Sequence, residues 1–138
     1  MTQREYILGI DYGAQRVGVA VAHEVARLPR PLQTLKNDGS LMQQLEVLVN
    51  QESVARIVVG VPRNMDGSSS EQSSACEAFA NELGGRVDVP VQTFDETLSS
   101  VEAEAALKRI GKPYSKPDID AMAASLILER YITEGANA

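Results

Sequence analysis

A chain of 138 residues with 43% apolar and 23% charged side chains has the size of one ordinary domain and the make-up of a globular protein rather than a disordered one. No apolar run approaches the roughly 20 residues that span a bilayer, and the opening MTQREYILG lacks the basic-then-apolar build of a secretion signal, so the expected compartment is the cytoplasm, with no membrane partner. The net charge of −6 argues on average against phosphate binding, but residues 1–36 carry five basic and three acidic side chains and residues 108–138 five and four, against three and twelve in residues 37–107.

In chain order, EYILGID and RVGVAVA read as two strands joined by a short glycine-containing turn, an antiparallel hairpin. RPLQTL, fenced by Pro29 and Pro31, reads as a third strand at or near a sheet edge, because proline cannot donate to a ladder. LMQQLEVLVNQES places Leu41, Leu45 and Leu48 at helical spacing, with Ser40 as its expected cap. ARIVVGVP is a continuous apolar run suited to a central strand covered on both faces. SEQSSACEAFANELGG follows as a helix stopped by Gly84 and Gly85, then VDVPVQTFDE as a strand. SSVEAEAALKRIG is a helix with capping-box spacing at Ser99 and Glu102 and a stop at Gly111. The last segment opens on the loop KPYSKP and closes as a helix capped by Asp118. The order β-β-β-α-β-α-β-α-α predicts an α/β fold: a five-stranded mixed sheet with helices on both faces, residues 1–138 forming one domain.

The single cysteine, Cys76, excludes an internal disulfide and reads as an inert buried thiol. The single histidine, His23, excludes multi-histidine metal schemes and reads as a loop or strand-end residue. Chemistry is therefore sought among the carboxylates. Asp11 ends the first strand between Gly9 and Gly13, Asp95 and Glu96 end the last strand, and Asp120 is expected in the first turn of the last helix. Ligands of α/β sheets bind where strands end, so separate elements can bring these acids around a hard cation such as Mg²⁺, which prefers oxygen ligands. Each acid also has an ordinary reading: a turn residue bonding its own backbone for Asp11, a polar strand end for Asp95 and Glu96, and a helix-dipole partner for Asp120. Arg16 follows Asp11 closely as a phosphate candidate. Lys108, Arg109, Lys112 and Lys116 form a basic stretch beside Asp120 without an intervening acid, a phosphate grip or a solvated surface run.

GIDYGAQRVGVAVA, RPLQTL, IVVGVPRNMDGSSSEQS, FDETLSSVEAE and IDAMAASLILERYI, in this order, resemble the YqgF/RuvX family of Holliday-junction-resolvase-like or pre-16S ribosomal RNA nucleases. The resemblance runs over essentially the whole chain. It implies an RNase H-like fold and phosphodiester hydrolysis assisted by Mg²⁺ or Mn²⁺, with two ions. It puts the acidic cluster on Asp11, on Asp95 or Glu96, and on Asp120. Alternation sends Asp95 and Glu96 to opposite sides, and Glu96, longer and nearer the helix start, is the expected ligand with Asp95 in reserve. Because the resemblance covers VPRNMDGSSSEQS, Arg63, Asn64 and Ser68 become candidate contacts to a substrate backbone. Two departures concern binding strength and substrate preference: Thr97 stands where relatives often carry arginine, and the loop before the last helix is less basic than in many.

The first reading is a nuclease that trims the 5′ end of the small-subunit ribosomal RNA precursor, acting on structured RNA at the pre-ribosome. A junction resolvase needs two active sites and so a dimer, and no segment reads as an obvious dimer helix, so a monomer or weak homodimer and RNA are expected over branched DNA. A noncatalytic assembly factor would have lost one of the acids, and none is lost. GIDYG also resembles the phosphate loop of actin-like ATPases, but those require two such domains.

Overall fold

The structure, a computed structural model, describes residues 3–62, 70–96 and 100–135. Five strands form one sheet: β1 (Tyr6–Tyr12), β2 (Arg16–His23), β3 (Arg30–Lys36), β4 (Val54–Val61) and β5 (Val91–Asp95), in the spatial order β3-β2-β1-β4-β5. β1, β2 and β3 are antiparallel neighbours, whereas β4 lies parallel to β1 and β5 parallel to β4. The expected order of elements is therefore met, and β3 is the edge strand that its prolines indicate.

Strand alternation divides the side chains into two layers. Leu8, Ile10, Val17, Val19, Val21, Ile57, Val59 and Val61 point to one face, where α1 (Leu41–Gln51) and α2 (Glu71–Gly84) cover them with Leu45, Leu48, Phe79 and Leu83. Ile7, Ala20, Ala22 and Val58 point to the other, against Ala124 and Leu128 of α4 (Lys116–Arg130). The third helix, α3 (Ser100–Ile110), rests on α4 through Ala103, Met122 and Ala123. A π-helical turn, Tyr131–Gly135, continues α4 and sets Tyr131 edge-on to Phe94, with ring centroids 5.8 Å apart.

The layer containing α4 is unusually thin. A Cβ on Gly18 of β2 would lie 1.9 Å from the Asp120 carbonyl oxygen, one on Gly9 of β1 would lie 2.4 Å from Leu128 Cγ, and one on Gly60 of β4 would lie 2.6 Å from Ile127 Cδ1. Three neighbouring strands thus leave a side-chain-free trough, which α4 enters with its backbone at Asp120 and with the side chains of Leu128 and Ile127. At Gly18 the obstacle is backbone, which has no rotamer to give way.

Several helix starts differ from the sequence expectation. Ser40 makes no side-chain cap; Asp38 instead accepts from the Ser40 N–H and hydroxyl, at 2.9 and 2.6 Å. Pro117 fits the first turn of α4, where a missing N–H costs nothing, so that helix begins at Lys116. Asp118 is consequently inside the first turn, its carboxylate accepting from the Ser115 N–H at 2.8 Å, and Asp120 lies one turn in rather than in the first turn. β5 is limited to Val91–Asp95, since Pro90 has no N–H to donate. The Ser99 cap of α3 falls outside the described residues.

Gly18→Ala is expected to destabilise the fold by about 3 kcal/mol, at the upper end of overpacking costs, because backbone must move. Gly39→Ala, with nothing within 4 Å of the added carbon, should change stability by less than about 0.5 kcal/mol. Urea unfolding of the two variants measures the difference.

Candidate active site

β1, β4 and β5 run parallel, so their C-terminal ends share one edge of the sheet. From β1 the chain turns to β2 and β3 on one side and later crosses to β4 on the other, a reversal of the kind beside which ligands bind. Asp11 stands at this reversal, opposite Gly18 in the β1–β2 register. Alternation from Ile7 and Gly9 directs it to the α4 face, and the Gly18 backbone contact brings Asp120 to the same place. The hairpin turn is tight: the Gly13 N–H donates to the Arg16 carbonyl at 3.0 Å, and a Cβ on Gly13 would lie 2.5 Å from that oxygen. The Gln72 amide donates to the Tyr12 carbonyl at 2.8 Å and so ties the start of α2 to the end of β1.

The Asp11 carboxyl is partly buried and lies near a second carboxylate, and no described residue donates a hydrogen bond to it. Desolvation, and then the charge of Asp120, push its pKa from the ordinary 3.8 up to about 6. Asp120 is differently placed: Arg16 Nε donates to its Oδ2 at 2.6 Å, with both side chains partly exposed. Arg16 is therefore engaged with a site acid as well as being available at the surface.

Parity separates the two acids at the end of β5. Val91 packs towards α1 and α2 whereas Phe94 packs towards α4, so Asp95 falls on the α1/α2 face and is exposed. Glu96 continues the ladder, its N–H donating to the Val61 carbonyl at 3.0 Å, and turns to the α4 face. There Arg130, the last residue of α4, donates from Nη1 to Glu96 Oε1 at 2.5 Å and from Nη2 to Glu102 Oε1 at 3.1 Å. Sequence reasoning missed Arg130, because a cation in the last turn of a helix is already explained by the helix dipole.

The structure thus brings Asp11 and Asp120 together and holds Glu96 on the same face by a separate arginine. Among the described residues no three His, Cys, Asp or Glu side chains form a group able to hold one metal ion. The expected convergence of three acids is accordingly a pair plus a third acid occupied by Arg130. Lys108, Arg109, Lys112 and Lys116 are all exposed along the end of α3 and the start of α4, and none forms an ion pair with a described residue. Arg63, Asn64 and Ser68 lie outside the described residues. The hydroxyls at the start of α2 are already used: Ser70 Oγ accepts from the Ser73 N–H at 3.1 Å, which leaves that donor unavailable to an anion.

The two other singled-out side chains are structural. Cys76 is buried, and burial followed by the charge of Asp11 pushes its thiol up to about 11, so it is not a nucleophile at neutral pH. His23 Nδ1 accepts from the Val25 and Ala26 N–H groups at 3.1 and 3.2 Å, which leaves Nε2 as the donor to Glu5 at 3.2 Å.

Because the folded state holds the Asp11 proton more tightly than the unfolded chain, native stability falls as pH rises from about 4 to about 6 and stays low above that. A separation of about two pH units corresponds to about 3 kcal/mol. Asp11→Asn is therefore expected to be more stable than wild type by up to about 3 kcal/mol at pH 8 in metal-free buffer, and equal to it near pH 3.5. Denaturant titrations at the two pH values measure the gap.

Comparison with known proteins places this geometry. The model of the RuvX family, described as Holliday junction resolvase, matches residues 5–134. A protein of Pseudomonas fluorescens named "Putative pre-16S rRNA nuclease" is 41% identical over 135 residues, covering 94% of this chain and 93% of that protein. One of the same name from Chloroflexus aggregans is 39% identical over 135 residues, covering 95% of each. Among solved structures, Thermus thermophilus RuvC in complex with a Holliday junction superimposes with a TM-score of 0.60 at 19% identity, covering 95% of this chain and 96% of that one. Fowlpox virus resolvase with its junction DNA gives 0.58 at 10% identity, covering 96% and 99%. These structures share the RNase H-like fold. The match along residues 5–134, together with two relatives near 40% identity over almost their whole length, shows that the chain belongs to the YqgF/RuvX family.

Proposed function

We propose that the chain acts as one nuclease domain, hydrolysing phosphodiester bonds with the help of a divalent cation, Mg²⁺ or Mn²⁺. The observation that carries this reading is the desolvated Asp11 carboxylate, placed beside Asp120 with no donor from a described residue. Such a pair gains by sharing a cation, and an all-oxygen donor set suits a hard one. Asp11 and Asp120 would hold the ion, and Glu96 would add a further oxygen where it exchanges Arg130 for the metal. Asp95, on the opposite face, is the weaker candidate. When bound, a metal of this kind supplies a water nucleophile and stabilises the departing sugar oxygen, most effectively as two ions.

The chain's own residues supply the rest. β1 and the Gly18 contact fix the two acids on rigid elements, which holds the reacting phosphate in one geometry. Arg16 and the exposed Lys108, Arg109, Lys112 and Lys116 supply cations along which a phosphate backbone can lie. The relatives' names favour the small-subunit ribosomal RNA precursor as substrate, and this reading takes its 5′ end as the place of cleavage, the pre-ribosome as partner and the cytoplasm as compartment. Among the described residues no helix is long and apolar enough to cross a membrane. The second reading, cleavage of four-way DNA junctions, is favoured by the family's description and requires a dimer rather than a monomer or weak homodimer.

The test incubates purified protein and Mg²⁺ or Mn²⁺ with a precursor-like 5′ RNA and, separately, a four-way junction. Cleavage of the RNA, reduced about 10²-fold or more by Asp11→Asn and by Asp120→Asn, is expected. Cleavage of the junction alone moves the assignment to the second reading. Undiminished cleavage by Asp11→Asn overturns the site.

A further inference from the structure

An open cavity of about 630 Å³ lies between the β1–β2 turn, the end of β3 and the start of α4, and Arg16 is among its lining residues. Its volume is in the range of small-ligand sites. In the β2–β3 register Arg16 stands opposite Lys36, and Gly18 stands opposite Thr34. Since Gly18 faces α4, alternation puts Arg16, Lys36 and Thr34 on that same face, the face of Asp11 and Asp120. Thr34 confirms this by donating its hydroxyl to the Pro117 carbonyl at 2.5 Å.

Two cations directly opposite on one face repel each other, and an anion bridging them relieves that repulsion. Arg16 commits Nε to Asp120, so its remaining guanidinium N–H groups can serve a phosphate. Lys36 is exposed and makes no ion pair with a described carboxylate, although its charge helps hold the nearby Asp38 carboxyl below its ordinary value. The acid in the cavity lining, Asp38, turns Oδ1 to the Ser40 N–H and hydroxyl. Around this cationic pair the walls change character. Pro117 and Ala14 are exposed and apolar, Gln15 presents a free amide, and Asn37 is fixed by donating to the Gly13 carbonyl at 2.7 Å.

Apolar walls, an exposed amide and two opposed cations form the chemistry of a nucleoside monophosphate. We propose that this cavity binds the nucleotide unit next to the scissile phosphate, its phosphate on Arg16 and Lys36 and its base against Pro117 with Gln15 at the base edge. Lattice spacings put Lys36 roughly 12 Å from Asp11, two strands across and one side-chain step along, within the span of one nucleotide unit and its neighbour. The inference rests on the nuclease reading and adds to it a direction: the substrate strand leaves the two acids towards β3, the free edge of the sheet.

Binding of a fluorescently labelled single-stranded RNA to the Asp11→Asn protein, followed by anisotropy at several salt concentrations, tests this. Lys36→Gln should weaken binding about fivefold and lower the salt dependence by about 0.7, the share of one phosphate on a single strand. Gln15→Glu should weaken it as well. Arg27→Gln, which removes a cation from the far end of the sheet, should leave binding unchanged. On the active protein, Lys36→Gln should raise KM for RNA and leave kcat unchanged. In nuclear magnetic resonance titrations, adenosine monophosphate should move the amides of Gln15, Lys36 and Asn37. Wild-type binding by both Lys36→Gln and Gln15→Glu overturns the subsite while leaving the nuclease reading intact. A wild-type protein that neither binds nor cleaves RNA overturns both.

Discussion

The contact of α4 with the glycine trough is the constraint on which the site depends. An ordinary helix-on-sheet layer is separated by side chains, whose rotamers give the interface some play. Here Gly18 meets the backbone of Asp120 itself. The position of Asp120 relative to Asp11 is therefore set by two main chains, one held in the β1–β2–β4 ladders and the other in helical hydrogen bonds. Catalytic constellations demand placement to within about half an ångström, and main-chain contact is a direct way to reach it.

That close approach has an electrostatic consequence. With α4 against the sheet, the Asp11 carboxyl is partly shielded from water and faces a like charge, so its ionised form is costly. The fold answers at the neighbouring positions with arginines rather than at Asp11: Arg16 takes Asp120 and Arg130 takes Glu96. Stability is given up at one carboxylate that is held by the surrounding architecture, the pattern expected where a site is kept ready for a ligand.

How much of this was legible in the sequence depended on the range of the interaction. Local periodicity was sufficient for the five strands and for β3 as an edge, since Pro29 and Pro31 act within their own segment. The unusual placement of Asp11 was legible because an acid between two glycines at the end of an apolar strand conflicts with its surroundings, and the opposite facing of Asp95 and Glu96 because parity is a local property. The start of α4 lies three residues before the expected one, as Asp118 has the chemistry of a cap but Pro117 is better suited to the first turn. Arg130 and Gly18 were not legible. Their roles come from partners 34 and 102 positions away in sequence, and nothing local to either residue shows that partner.

The double pairing of Arg130 has a further consequence for the electrostatic field of this edge. One guanidinium serves two carboxylates, Glu96 and Glu102, while Arg16 serves one of the pair formed by Asp11 and Asp120. At neutral pH these six side chains together carry two negative charges, matching the charge of a divalent cation in magnitude. The exposed cations lie farther out, at Lys36 and along the end of α3 and the start of α4. A polyanion approaching from solvent would thus meet attraction at the rim and repulsion at the centre, an arrangement that favours contact by its flanks before its middle.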